Sequence, residues 1–166
     1  MGAYKPIHSA FVSAKKNKQI MNDATPVGYV LLADDDVDDI EMLTTALKDA
    51  ENSLEVIVVE NGKGVLEQLK KAREGSPAHP PCVLVMDMNM PKMDGRETVV
   101  AIKGDEAFKN MPVVLFSTSK NRTDEMFAEK WGVRYFQKPD TIQGLDAVAK
   151  TILSICRKDP ESGAGD

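Results

Sequence analysis

The stretch Tyr29-Val30-Leu31-Leu32-Ala33-Asp34-Asp35-Asp36 runs through five apolar residues and straight into three aspartates. An apolar run without alternation suits a strand covered on both faces, as parallel strands between helices are. The pattern recurs at Leu54 to Val59, Cys82 to Met86 and Val113 to Phe116, and more weakly at Arg134 to Gln137. Each run except the second ends in a polar residue suited to binding or chemistry. Asp34, Asp87, Ser117 and Lys138 are the first polar side chains after the first, third, fourth and fifth runs, Gln137 aside.

Between the runs the apolar period lengthens. Ile40, Leu43, Leu47 and Ala50 form one helical stripe, and Val65, Leu66, Leu69 and Ala72 another. Val99 with Ile102, Phe127 with Trp131, and Leu145, Val148, Ile152 and Ile155 supply three more, with Phe127 and Trp131 read as core. Asp36, Asn61, Thr123 and Thr141 are the residue types that cap helix starts. Strands alternating with helices imply a parallel sheet with right-handed crossovers. Five such units suggest an α/β, flavodoxin-like, doubly wound (βα)5 sandwich with strand order 2-1-3-4-5, an order that the pattern alone does not single out. The outer strands are then the second and fifth, where Glu55, Arg134 and Gln137 are tolerated.

The repeating pattern spans 27–157. Residues 1–26 carry lysines and no strand pattern. Ile7, Phe11, Ala14 and Met21 hint at a loose amphipathic helix, but the segment reads first as a flexible or partner-dependent tail. Residues 158–166 read as a frayed tail, and no room is left for an output domain. Ser76-Pro77-Ala78-His79-Pro80-Pro81 is a stiff surface loop. A net charge of −5 argues against a general nucleic-acid binder. No apolar stretch approaches the ~20 residues of a membrane span. Lys15, Lys16 and Lys18 follow rather than precede the short apolar patch, unlike a signal peptide. Cys82 and Cys156 read as buried free thiols, which fits a reducing cytoplasm.

In a parallel sheet the strands end on one edge, and ligands bind there at the switch point. Neighbouring first and third strands put Asp35 and Asp87 roughly 5 Å apart. Carboxylates that close repel unless a cation lies between them, and Mg²⁺ takes one or two carboxylates, leaving positions for phosphate oxygens. Asp87 can act as a nucleophile that forms an acyl phosphate. Lys138 adds a point charge and Ser117 a hydroxyl.

These segments, with Val83-Leu84-Val85-Met86-Asp87-Met88-Asn89-Met90-Pro91-Lys92-Met93-Asp94-Gly95, Val114-Leu115-Phe116-Ser117 and Tyr135-Phe136-Gln137-Lys138-Pro139, resemble the receiver domains of two-component response regulators. The resemblance extends over about 130 residues, to the chemotaxis receiver among others, and D-x-x-M-P-x-M-D-G is its most specific part. It implies that Asp87 is phosphorylated, that Asp35 binds Mg²⁺ directly and Asp34 through water, and that the Asn89 carbonyl completes the metal shell. Ser117 is then the switch hydroxyl, Lys138 the phosphate-binding lysine, Tyr135 the aromatic residue that turns with activation, and Lys138–Pro139 a cis bond. A single receiver implies a stand-alone response regulator, not an enzyme beyond its own phosphorylation and dephosphorylation. Its phosphoryl donor is a sensor histidine kinase or histidine phosphotransfer protein and its listener a downstream protein. Signalling effector, relay intermediate and phosphate sink stay open, as does the oligomeric state.

Three features depart from the pattern. Thr118 is bulkier than the usual small residue and crowds the approach to Asp87, and Asp140 stands where many members have Phe. Three consecutive aspartates leave a one-residue ambiguity, resolved here by giving Asp36 to the helix cap along with Asp38 and Asp39 as helix-start charges. An edge-strand Tyr135 also fits plain packing. His8 and His79 lack ligand spacing and receive no role. A haloacid-dehalogenase-like phosphatase uses similar residues, but its nucleophile follows the first strand and its acid pair comes late, the reverse of this order.

Overall fold

The computed structural model describes residues 28–77 and 79–157, so the two expected tails lie outside the described residues. Each apolar run becomes a strand and each amphipathic stretch a helix. The order is β1 (Val30–Ala33), α1 (Val37–Ala50), β2 (Val56–Val59), α2 (Gly62–Arg73), β3 (Val83–Met86), α3 (Gly95–Lys103), β4 (Val113–Ser117), α4 (Arg122–Trp131), β5 (Arg134–Gln137) and α5 (Ile142–Arg157). The five strands are parallel in the order β2-β1-β3-β4-β5, the order expected of the flavodoxin-like fold.

The pleat divides the core in two. Leu31, Leu84, Met86 and Leu115 face Val65, Leu69, Val99 and Ile102 of α2 and α3. Val30, Leu32, Val85, Val114 and Phe116 face Leu43, Leu47, Ala149 and Ile152 of α1 and α5. β1, β3 and β4 are buried at every residue, whereas β2 and β5 are only partly so, which identifies them as edges. The stripes hold with small drifts: Ala50 is exposed while Ala46 is buried, and Phe127 and Trp131 are half-buried beside a buried Ala128.

Helix starts follow the capping chemistry, with one shift. Asp36 accepts from the Asp38 and Asp39 N–H groups, and Asn61 from that of Gly64. Thr141 Oγ1 accepts from the Gly144 N–H at 3.0 Å. The cap of α4 is Asn121 rather than Thr123, because its side chain reaches the free N–H of Thr123 from just outside the helix. α3 has a full capping box between Asp94 and Glu97 that the apolar periodicity does not reveal.

Two expectations are corrected. Cys82 and Cys156 form a disulfide rather than two free thiols. In a βα sandwich each helix runs back to the edge where strands begin, so the last turn of α5 meets the residue before β3; their Cα atoms are 4.8 Å apart. The cis peptide bond among the described residues is Ser76–Pro77, and Lys138–Pro139 is trans, the default isomer even before proline.

Candidate functional site

Register brings the acids together. Ala33 of β1 pairs with Met86 of β3, so Asp34 and Asp87 are the next residues on adjacent strands. The Asp87 N–H donates to the Ala33 carbonyl at 2.9 Å, and the Asp34 N–H to that of Val59 at 3.1 Å, which extends the ladder one residue past the strands. One carboxylate oxygen from each of Asp34, Asp35 and Asp87 lies within 4.8 Å of the others. Asp34 is buried, Asp87 half-buried and Asp35 exposed, so the cluster opens to solvent on the Asp35 side.

Gly95 keeps this edge tight. A Cβ there would lie 2.7 Å from the Asp87 carbonyl oxygen and 3.0 Å from Met88 Cα, so only glycine lets α3 start so close beneath the acids. The Gly95 N–H donates to the Met88 carbonyl at 2.9 Å, which ties the β3–α3 loop back on itself.

Lys138 is the cation of the site. Its Nζ donates to Asp34 Oδ2 at 2.8 Å and to Asp39 Oδ2 at 2.6 Å, with Asp87 Oδ2 farther off at 3.4 Å. Burial works against its charge, but the hydrogen bonds to Asp34 and Asp39 and the charge of Asp87 outweigh it, so its pKa stands above the ordinary lysine value. Asp39, read from sequence as a helix-start charge, is thus a direct partner of Lys138. Asp87 is pushed the other way from most carboxylates. Burial raises its pKa, Asp34 adds to the rise, and Lys138 offsets only part of it. An oxygen-only cluster with uncompensated negative charge is a donor set suited to a hard divalent cation.

The remaining expected residues surround this cluster unevenly. Asn89 is exposed, and its N–H donates to Asp87 Oδ1 at 3.4 Å. Ser117 is fully buried at the end of β4, where its Oγ accepts from the Ser119 N–H at 3.2 Å. Thr118 is exposed beside it. The Tyr135 hydroxyl donates to the Ser119 carbonyl at 2.6 Å, so Tyr135 is tied to the loop that follows Ser117. Burial and the nearby Asp124 raise its pKa.

Sequence reading missed a contact next to that loop. Arg96, in the first turn of α3, pairs with the buried Asp124 of α4, and its guanidinium lies 5.1 Å from the Phe127 ring centroid. Its signal is nonlocal and needs the packing of α3 on α4. Asp140 is exposed ahead of α5 and His79 is exposed, its ring 6.0 Å from that of Tyr29. His8 lies outside the described residues.

Against known proteins, residues 30–150 match the response regulator receiver domain. The chain belongs to that family. It is 30% identical over 135 residues to the response regulator Rcp1 of Synechocystis, covering 81% of this chain and 92% of that one. Among solved structures it resembles the phosphorylated cyanobacterial phytochrome response regulator RcpA, with a TM-score of 0.67 and 32% identity over 75% of this chain and 90% of the other. The Mn²⁺-bound form of Rcp1 gives the same TM-score at 28% identity, over 76% and 92% of the two chains. This receiver therefore shares both its fold and the length of its domain with single-domain response regulators, and its strand-end acids lie in the order found by sequence.

Proposed function

We propose that this receiver is a stand-alone response regulator, built on residues 27–157, that takes a phosphoryl group on Asp87. The observation that carries the reading is the convergence of Asp34, Asp35, Asp87 and Lys138, from the ends of three strands, on one half-open edge. An Asp87 carboxylate oxygen attacks the phosphorus of a phosphohistidine. The P–O bond forms as the P–N bond breaks, and the imidazole leaves with the electron pair. The donor is a sensor histidine kinase or a histidine phosphotransfer protein, and the reader is a downstream protein. The chain catalyses nothing beyond its own phosphorylation and hydrolysis.

In this reading Asp35 and Asp87 hold Mg²⁺ directly, the Asn89 carbonyl completes the protein share of the shell, and Asp34 acts through water. Bound there, the metal neutralises charge on the transferring group. The oxygen-only donors and the Mn²⁺ bound by the similar Rcp1 support a divalent ion. Lys138 carries the second positive charge to the phosphate. Ser117 gives its hydroxyl to a phosphate oxygen once it turns from Ser119, while Thr118 at the rim restricts the approach of water. Tyr135 reports the change because the loop it grips follows Ser117. Phosphorylation thus biases two arrangements of the face around Ser117, α4 and Tyr135.

We place the chain in the cytoplasm, where histidine kinases are charged by ATP. The cysteines no longer support that location, since a disulfide is uncommon in a reducing compartment. No helix among the described residues is long and apolar enough to cross a membrane. The test is phosphotransfer from radiolabelled, autophosphorylated histidine kinases of the host. Label passing within seconds to the wild type and not to Asp87→Asn supports the reading. Equal label on both proteins contradicts it.

A further inference from the structure

The groove between α1 and α5 has an apolar floor and an acidic rim. It encloses about 580 Å³, with Met42 and Ile142 on its floor 51% and 74% exposed. Asp38, Glu41, Asp49 and Asp146 stand along it, and none of the four forms an ion pair with a described residue. Lys150 is the one cation lining its lower end. An apolar strip edged by one sign of charge favours an apolar occupant of the opposite sign. A second copy of this face would set carboxylates against carboxylates, so self-association there is disfavoured.

The chain itself carries a complementary segment. Ile7, Phe11, Ala14 and Met21 recur at helical spacing, and Lys15, Lys16 and Lys18 lie among them with no acidic residue before Asp23. We propose that residues 7–21, which lie outside the described residues, dock as a helix along this α1–α5 groove, with the apolar side chains on its floor and Lys15 on the flank. Lys18, seven residues after Phe11 and so on the same stripe, extends its ammonium to the rim. Lengths agree. α1 has 14 residues and so spans about 21 Å, and residues 7–21 wound as a helix would span about 22 Å.

The tether reaches as well. Gly28 precedes β1 on the sheet edge where α1 ends, and the seven steps from Met21 to Gly28 can cover up to about 24 Å. A short tether of this kind gives an effective concentration in the millimolar range, enough for a weak contact to be occupied. The chain direction fixes the register. With Met21 toward the Ala50 end and Ile7 toward Ile142 and Met42, Lys15 and Lys18 come within reach of Asp49, Asp146 and Glu41, while Lys16 falls on the opposite face of the helix. Any partner that uses α1 must then displace this segment.

The contact does not involve Asp87, so it is tested on the full chain without a phosphoryl donor. A water-soluble carbodiimide activates carboxylates, and a lysine amine in contact displaces the resulting urea to leave an amide. Mass spectrometry of the monomer is expected to find Lys15 or Lys18, and not Lys16, joined to Asp49, Asp146 or Glu41, with yield falling severalfold in 0.5 M salt. In ¹⁵N NMR spectra, K15E/K16E/K18E should shift the amides of Met42, Thr45 and Ile142 and leave those of α2 and α3 in place. Adding E41K/D49K/D146K to that variant should restore the contact. Links spread evenly over carboxylates of the other helices, links confined to dimers, or unmoved α1 and α5 amides would each overturn the proposal.

Discussion

Lys138 is where the energetics of the site concentrate. Its side chain and that of Asp34 are 8% and 3% exposed, so removing the ammonium strands a buried carboxylate. Lys138→Ala is expected to cost about 3 kcal/mol, the scale for breaking a buried pair on one side. Urea unfolding of the two proteins measures it, and a loss below about 1 kcal/mol, the surface-pair scale, would show that the pair is not effectively buried. Asp87 has the opposite sign. Its folded-state pKa is raised by burial and by Asp34, so the folded chain holds that proton more tightly than the unfolded chain. Stability therefore falls as pH rises from the ordinary carboxylate range through the raised value, and the penalty is complete above it. Without divalent metal, Asp87→Asn should be more stable than the wild type at pH 7, where the wild type carries the full penalty. That gain should shrink as pH drops through the raised value and be lost below the ordinary carboxylate range. A pH-independent difference between the two proteins would contradict this account. At this scale the sequence was informative about the strand-end residues, because a parallel sheet delivers them all to one edge. Asp39 escaped because its partner lies 99 residues away, and nothing local distinguishes it from a charge that favours a helix start.

The loop between β3 and α3 links the acceptor residue to a helix through backbone contacts. Gly95→Ala places a methyl group 2.7 Å from the Asp87 carbonyl oxygen and against Met88 Cα, neither of which can yield as a flexible side chain would. It should cost about 2 kcal/mol, within the range for overpacking, and shift the amide resonance of Asp87. A resonance left in place would mean that α3, not the acid loop, absorbs the methyl. Most elements were legible from periodicity: the polar intrusions of the edge strands and the two-sided burial of β1, β3 and β4 follow from the apolar runs, whereas the strand order is one of several that the pattern alone allows. The start of α3 was equally readable from Asp94 and Glu97, three residues apart, although the apolar pattern there offers only Val99 and Ile102. The Arg96–Asp124 contact was not readable, because it depends on how α3 and α4 pack rather than on either helix alone.

Across the whole molecule, the Cys82–Cys156 bridge pins the last helix to the sheet at the edge opposite the acids. It closes a loop with a sequence separation of 74, for which chain entropy alone gives about 4 kcal/mol. Thermal unfolding of the wild type should therefore shift downward with dithiothreitol, and that of Cys82→Ala should not respond. Equal curves for the wild type with and without reductant would show that the bridge contributes nothing. Sequence favoured free thiols because each cysteine sits in its own apolar pattern, and only the return of α5 to the start of β3 brings them together. The same topology gathers Asp34, Asp35, Asp87 and Lys138 at the other edge, and the central claim is that Asp87 among them accepts the phosphoryl group. The most direct measurement is incubation with acetyl phosphate and Mg²⁺, followed by borohydride reduction of the acyl phosphate and peptide mass spectrometry. The account predicts that the reduced residue is Asp87 and that Asp87→Asn carries no modification. Reduction mapped to Asp34 or Asp35, or an equal yield from Asp87→Asn, would contradict it.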